Sequence, residues 1–268
     1  MDTTLIKAKQ QAAWASGDYS AVGTRLLPVA EQLCEAVDLR AGERVLDVAT
    51  GNGNAALAAA RRFGQVVGVD YVPALLDRAQ RRAQAEGLEV DFRVADAEDL
   101  PFGDGTFDVA LSTCGAMFAP DQEQTARELL RVVRPGGRIG MVNWTPDSYV
   151  GELFRAIGRH LPPPAGLRPP VEWGDPDRLE ALFGLDARIH APRRSFRWRF
   201  PSAEHQASFF TTFYGPTNRA VAALDEAGAA ALTAEMVELA RRFDVSDDAT
   251  LVLRMDYLEV VVHVPDEG

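Results

Sequence analysis

Three aspartates and a glycine-rich stretch are the residues of this chain whose types and spacing could do chemistry. Asp47 precedes the stretch Thr50-Gly51-Asn52-Gly53, and Asp70 and Asp96 follow at the ends of the next two apolar segments. Glycines at the start of a helix let a ligand approach the backbone amides. A carboxylate about 20 residues further on can accept hydrogen bonds from both hydroxyls of a ribose. This spacing therefore predicts a site for a ribose-containing ligand.

The glycine pattern leaves two kinds of cofactor open. Gly51, Gly53 and Ala56 match the G-x-G-x-x-A fingerprint of a nicotinamide or flavin dinucleotide site. Asp47, however, opposes a pyrophosphate and suits a cationic amino-acid group, since opposite charges attract. Asp96 is placed to accept a hydrogen bond from an adenine amino group. The acids thus favour a nucleoside cofactor without phosphates over a dinucleotide.

The elements that position these residues alternate between strand and helix. Apolar β-branched runs predict five short strands, and helical periodicity and end signals such as Pro73 and Gly87 predict the helices between them. The predicted strands are 44–48, 65–69, 90–94, 107–112 and 138–143, and the predicted helices are 55–63, 73–86 and 122–133. Short connections between alternating elements indicate a parallel sheet with helices on both faces.

The segments on either side of this region predict a helical cap and a return to the sheet. Two helices are expected over 4–37, with a break at Ser16-Gly17-Asp18. The second half predicts strands at 195–200 and 258–264, the latter at the end of a β-rich segment 250–264. It predicts helices at 148–161, 176–183, 202–213 and 218–243, the last bent near Gly228. We predict a single domain over 1–268: an N-terminal cap at 1–38, a cofactor-binding half at 39–145, a cap and substrate region at 146–249, and a final strand and tail at 250–268.

Five motifs in order resemble those of class I S-adenosylmethionine-dependent methyltransferases, nearest to the subgroup that includes quinone-biosynthesis enzymes. They are Val45–Gly53, Val69-Asp70, Ala95–Phe102, Phe107-Asp108 and Leu130–Gly137. The resemblance implies an α/β fold: a Rossmann-like, mostly parallel seven-stranded sheet with an antiparallel last strand, helices on both faces and a helical cap. It also implies S-adenosylmethionine as cofactor, S-adenosylhomocysteine as product, and methyl transfer to a small, apolar or aromatic molecule.

The same resemblance implies a role for each matching position. Asp47, Ala49, Gly51 and Gly53 would face the methionine part, Asp70 the ribose, Tyr71, Val72, Asp96 and Ala97 the adenine, Thr113 the ammonium and Tyr19 the carboxylate. Ala49 stands where the family often has glycine, and we expect it to keep the φ angle of an extended strand.

The acceptor site and a catalytic base have weaker signals. Phe118, Trp144, Phe210 and Tyr214 are candidates for the acceptor pocket, with plain packing as the alternative; His160 and His205 are candidates for a base, with a surface or packed role as the alternative. In-line methyl transfer needs mainly alignment of nucleophile and methyl group. A base is required only for a poorly ionised acceptor.

Composition excludes several other classes. A net charge of −11 argues against nucleic acid as partner. We find no apolar run long enough to span a membrane and no secretory signal. Two distant cysteines and four histidines lack metal-ligand spacing. We expect a cytoplasmic monomer or homodimer that uses no metal and acts on a small molecule. The alternatives are an S-adenosylmethionine-binding protein or a non-methylating enzyme of this fold and, more remotely, an NAD(P)-dependent oxidoreductase.

Overall fold

The computed structural model describes residues 3–184 and 187–266, which form a central sheet with helices on its faces. Five strands are parallel and carry the first half of the chain: β1 (Arg44–Val48), β2 (Gln65–Asp70), β3 (Asp91–Val94), β4 (Phe107–Thr113) and β5 (Val133–Trp144). Their order is β3-β2-β1-β4-β5. The chain reverses direction in strand order between β1 and β4, which is where open α/β sheets bind ligands.

The helices of this half begin and end at the residues that the sequence marks. They are α3 (Leu27–Ala36), α4 (Asn54–Arg61), α5 (Pro73–Glu86) and α6 (Gln122–Val132). Pro73 occupies the first turn of α5, and Gly87 closes that helix with a φ of 66°. Asp121 begins α6 by accepting a hydrogen bond from the Gln124 amide at 2.9 Å.

The sheet has eight strands among the described residues, so the predicted number of seven is wrong although the fold class is confirmed. Antiparallel β8 (Leu251–His263) lies beside β5. On the other side of β8, the unpredicted β6 (Arg188–His190) pairs with one end and β7 (Arg193–Phe200) with the rest. Pro192 lies between them and has no N–H to continue the ladder. The seventh position in the sheet is thus shared by two short strands.

Val133, predicted as the end of the helix 122–133, and residues 134–137, predicted as the connection from that helix to the next strand, belong to β5. Val133 pairs with Phe107 and Arg138 with Val109, so four residues of β5 between these pairs face a single residue of β4. Gly136 allows this bulge because its φ is 68°, in the left-handed region that glycine tolerates.

One cap precedes the sheet strands and the other lies between β5 and β8. The N-terminal part contains α1 (Thr3–Trp14), α2 (Tyr19–Gly23) and a turn of 3-10 helix at Thr24–Leu26 before α3, so its helical segments exceed the two predicted. The second half contains α7 (Tyr149–His160), α8 (Pro176–Phe183), α9 (Ala203–Phe213), α10 (Gly215–Ala223) and α11 (Glu226–Arg242), with a 3-10 turn at Pro170–Gly174.

The bend predicted at Gly228 lies instead at Leu224-Asp225. The Asp225 carboxylate accepts a hydrogen bond from the Gly228 amide at 2.8 Å, and this N-cap starts α11 as a separate helix. Within residues 3–184 and 187–266, no helix has the length and hydropathy needed to cross a bilayer.

Candidate functional site

A large cavity opens at the carboxyl ends of β1, β2 and β4, beneath α1. Its empty volume is about 900 Å³, including space open to solvent. Ten of the predicted site residues line it: Tyr19, Asp47, Ala49, Gly51, Asp70, Tyr71, Asp96, Ala97, Thr113 and Phe118. Two predicted cofactor residues support the lining: Gly53 precedes α4 with a φ of 87°, and the Val72 amide donates to Asp70.

The loop between β1 and α4 is held in an unusual backbone conformation. Gly51 has a φ of 56°, as its residue type allows, but Ala49 also has a positive φ, 54°, so the expectation of a strand conformation there is wrong. A left-handed alanine is strained by roughly 1–2 kcal/mol. The loop therefore keeps a conformation that brings its backbone to the cavity at some cost in stability.

Asp47 is a buried carboxylate with one free oxygen. Its Oδ2 accepts hydrogen bonds from Thr50 Oγ1 at 2.6 Å and the Ala56 amide at 2.8 Å. Its Oδ1 has no partner among the described residues, and the residue is 1% exposed. Burial, with a smaller contribution from neighbouring Asp70, raises the pKa of Asp47 to about 7. A cationic ligand group at Oδ1 would stabilise the ionised form.

Asp70 connects the glycine loop to the end of β2. Its Oδ2 accepts from the Gly51 amide and its Oδ1 from the Val72 amide, both at 2.9 Å. Burial raises the pKa of Asp70 to about 6 despite these hydrogen bonds. Each carboxylate oxygen accepts more than one hydrogen bond, so both retain capacity for the two hydroxyls of a ribose.

Lys7, which sequence reasoning missed, closes the end of the cavity near β3. Its Nζ lies 2.6 Å from Asp96 Oδ2 and 2.5 Å from Glu98 Oε2. Burial lowers the pKa of Lys7 and the two carboxylates raise it, with a net upward shift. The Asp96 oxygen expected to meet an adenine amino group therefore also binds a lysine of α1.

The rest of α1 continues this cover across the cavity. Gln10 Nε2 donates to the Phe118 carbonyl oxygen at 3.0 Å, and Gln11 Nε2 donates to the Tyr71 carbonyl oxygen. The Trp14 ring meets the Phe118 ring edge-on at a centroid distance of 5.0 Å. Residues from Lys7 to Trp14 of α1 thus contact the segments that follow β2, β3 and β4.

Four polar atoms of the cavity wall lack a partner in the described part of the chain. They are Gln10 Oε1, Asp47 Oδ1, Asn52 Nδ2 and Thr113 Oγ1, all of them buried. Buried polar atoms normally form hydrogen bonds, so these four atoms are candidates to bind a ligand. Three of them accept hydrogen bonds, as an ammonium requires, and the Asn52 amide donates one, as a carboxylate requires. The cavity fits a ligand with an amino-acid end; Gln10 and Asn52 were not predicted.

A second, smaller cavity adjoins the first. Its empty volume is about 330 Å³, including space open to solvent. Eleven described residues line it: Trp14, Tyr19, Val22, Leu26, Cys114, Phe118, Trp144, Val150, Trp198, Phe210 and Tyr214. Five of these, Trp14, Tyr19, Leu26, Cys114 and Phe118, also line the large cavity. All four candidate acceptor-pocket residues are therefore brought together here, and Phe118 lies between the two cavities.

The titratable groups of the smaller cavity are held neutral. Burial raises the pKa values of Tyr19, Tyr214 and Cys114 above their ordinary values. Cys114 adds a smaller upward contribution to the pKa values of both tyrosines, and Tyr19 adds one to that of Tyr214. The described lining residues include no Asp, Glu, Lys, Arg or His. This cavity offers hydroxyl, thiol and indole groups but no charge.

The two candidate bases lie elsewhere. His160 Nε2 is 3.0 Å from Glu235 Oε2, in an ion-pair group on the α7–α11 surface. His205 is exposed in the first turn of α9. The structure does not bring either histidine to the described lining of the two cavities. Within residues 3–184 and 187–266, no group of three or more His, Cys, Asp or Glu side chains is arranged to hold a metal ion.

Comparison with known proteins agrees with this fold. A family model described as a methyltransferase domain matches residues 45–137, which carry β1 to β5 and the cavity acids. Residues 45–137 therefore form a methyltransferase domain, and the predicted resemblance to the class I S-adenosylmethionine-dependent methyltransferases is confirmed.

Individual relatives extend the match beyond that region. An uncharacterized protein of Mycobacterium tuberculosis is 42% identical over 236 residues, 86% of each chain. A demethylmenaquinone methyltransferase of Thermus thermophilus is 45% identical over 135 residues, 48% of this chain and 61% of that protein. The crystal structure of the YcgJ protein of Bacillus subtilis superimposes with a TM-score of 0.61 at 20% identity, covering 89% of this chain and 98% of that one.

Proposed function

We propose that this protein transfers a methyl group from S-adenosylmethionine to a small, neutral, apolar or aromatic molecule. The observation that carries the proposal is the pair of adjoining cavities with a common wall. One is lined by carboxylates and unpaired polar atoms, and the other by uncharged aromatic side chains. The first suits the cofactor and the second suits the acceptor.

Each of the three aspartates that line the large cavity has a proposed role in binding the cofactor. Asp47 Oδ1 would pair with its ammonium, Asp70 would accept from its ribose hydroxyls, and Asp96 with the Ala97 amide would bind its adenine. Thr113 and Asn52 would meet the remaining polar atoms of the amino-acid end. The bound cofactor supplies a methyl group activated by a sulfonium.

The chain contributes chiefly alignment and exclusion of water. Tyr19, Tyr214 and Cys114 stay protonated because burial raises their pKa values. They can hold and orient an acceptor by hydrogen bonds without removing its proton. The aromatic wall formed by Trp14 and Phe118 excludes water from the space between the two ligands. Positioning of this kind can supply much of the rate.

Binding of S-adenosylhomocysteine tests the cofactor assignment. At 100 times its dissociation constant the ligand should add about 2.7 kcal/mol to the free energy of unfolding, and differential scanning calorimetry should show the higher melting temperature. NADH at the same concentration should leave it unchanged. An unchanged melting temperature with S-adenosylhomocysteine contradicts the proposal. Binding without turnover on a panel of phenols, quinones and amines would favour the non-methylating alternative.

The N-terminal cap over the large cavity should loosen when Lys7 is replaced and become more protected when a ligand binds. Lys7→Met removes the half-buried ion pairs of Lys7 with Asp96 and Glu98. Together they are worth about 1 kcal/mol, so amide exchange in residues 3–14 of the free protein should be up to about fivefold faster. Lys9→Met, in the same helix but at an exposed position, is the matched control and should leave exchange unchanged. S-adenosylhomocysteine should slow exchange in residues 14–25 and around Gly51. Protection confined to the glycine loop would remove Tyr19 from the cofactor site.

A further inference from the structure

Trp198 carries a buried hydrogen-bond donor that the fold leaves unused. It lies on β7, is 5% exposed, and lines the smaller cavity. Its indole Nε1 has no acceptor anywhere in the described chain. A buried donor without a partner is destabilising, and native proteins retain few of them. The indole N–H of Trp198 is therefore available to donate a hydrogen bond to a ligand.

The indole ring of Trp198 is held in one orientation by its aromatic neighbours. The rings of Phe210, Phe196 and Phe200 contact it edge-on at centroid distances of 5.5, 5.8 and 6.1 Å. Edge-to-face packing of this kind favours a defined geometry. A ligand that supplies an acceptor atom thus meets a donor that is already oriented.

Trp198 belongs to the part of the smaller cavity that is not shared with the large cavity. Five lining residues are common to both cavities and form the shared wall. The other six described lining residues, Val22, Trp144, Val150, Trp198, Phe210 and Tyr214, belong to the smaller cavity. A molecule that extends from the shared wall to Trp198 therefore has its two ends in different surroundings, and only the end at Trp198 meets the indole N–H.

The described lining contains no charged side chain to pair with a charged ligand. Burying an unpaired charge is far more costly than burying a paired dipole. An occupant must therefore be neutral, and its polar atoms must match the few donors present.

We propose that Trp198 is a specificity-determining residue, whose indole N–H binds an oxygen of a neutral aromatic methyl acceptor. This inference rests on the proposed function: the oxygen lies at the end remote from the shared wall, and the atom that receives the methyl group lies at the wall. The acceptor class is thus an uncharged aromatic molecule with a nucleophilic atom at one end and a carbonyl, ether or hydroxyl oxygen at the other.

Three probes of nearly equal shape separate the contributions of oxygen and charge. Acetophenone carries a carbonyl oxygen, α-methylstyrene has a methylene in its place, and benzoate carries a charge. Dissociation constants are measured by calorimetric titration for the wild type and for Trp198→Phe. We expect the substitution to reduce the preference for acetophenone relative to α-methylstyrene by about fivefold, the value of one hydrogen bond. An unchanged ratio overturns the proposal, and so does failure of the wild type to bind either neutral probe.

Trp173→Phe is the matched control. Trp173 is also buried with an unpaired Nε1, but it does not belong to the described lining of either cavity. Its replacement should leave the ratio as in the wild type. A ratio that falls equally in both variants shows a general packing effect and contradicts the role of Trp198.

Two measurements on the wild type do not depend on the variant folding. Acetophenone, and not α-methylstyrene, should shift one of the indole N–H resonances of the ¹⁵N-labelled protein downfield. Benzoate should bind on the order of a hundredfold more weakly than acetophenone. An equal response to the two neutral probes, or tight binding of benzoate, overturns the inference. Because none of these titrations needs cofactor, a missing S-adenosylhomocysteine shift would contradict the proposed function without affecting them.

Discussion

Asp70→Ala is expected to weaken S-adenosylhomocysteine binding by roughly a thousandfold. The proposed ribose contacts are two hydrogen bonds to a carboxylate, each worth about 1.5–3 kcal/mol. The substitution also removes the acceptor for the Gly51 and Val72 amides, which hold the glycine loop and the end of β2 in place. Isothermal titration calorimetry measures the dissociation constant directly.

Two controls separate loss of ligand contacts from loss of a backbone anchor. Asp225→Ala removes an aspartate that also accepts a backbone amide, that of Gly228, but lies at the start of α11. It should lower stability slightly and leave S-adenosylhomocysteine affinity unchanged. Asp96→Ala should have an intermediate effect because one adenine contact is lost. If Asp70→Ala binds S-adenosylhomocysteine like the wild type, the ribose assignment is wrong.

Asp47→Asn is expected to stabilise the ligand-free protein while weakening cofactor binding. Folded Asp47 keeps its proton up to about pH 7, whereas an unfolded aspartate releases its proton near pH 4. The folded state therefore binds more protons over this window, and the free energy of unfolding decreases as pH rises through it. Removing this group should raise the free energy of unfolding at pH 8 by up to about 4 kcal/mol, the value of a difference of about three pKa units. Urea denaturation at pH 5 and pH 8 measures the difference.

The same carboxylate should make binding depend on pH. The ammonium of S-adenosylhomocysteine favours ionised Asp47, so wild-type affinity should increase as pH rises from 6 to 8. In Asp47→Asn the dependence centred near pH 7 should disappear, and a smaller one near pH 6 should remain from Asp70. A variant whose affinity and pH profile equal those of the wild type would show that Asp47 does not meet the ammonium.

Local signals in the sequence predicted the sheet half of this protein well. The bounds of β1 and α5 match the prediction because an apolar run, Pro73 and Gly87 mark them directly. The cavity acids Asp47, Asp70 and Asp96 could be grouped from sequence because parallel strands end at one sheet edge. The strand β6 could not be predicted, because three residues are too few to show the alternation of a strand. It pairs with β8 only because β8 is long enough to hold two partners.

Contacts made by the caps were beyond such reasoning. Lys7 lies about 90 residues from Asp96 in sequence, and no motif joins the two. Asn52 lies inside the glycine stretch, but its role becomes visible only through its unpaired amide. Trp198 is one of three aromatic residues of β7 with strand periodicity, and it is distinguished from Phe196 and Phe200 by its unpaired Nε1 and its place in the lining of the smaller cavity.

The distribution of tryptophans gives the protein a built-in optical reporter. Three of its four tryptophans, Trp14, Trp144 and Trp198, line the smaller cavity, and Trp14 also lines the large one. Intrinsic fluorescence excited near 295 nm therefore comes mostly from the walls that ligands touch. The fourth, Trp173, is fully buried and adds a constant background. Quenching or a shift of the emission maximum would follow ligand entry in real time, so libraries of unmodified acceptors can be screened and their association rates measured by stopped flow.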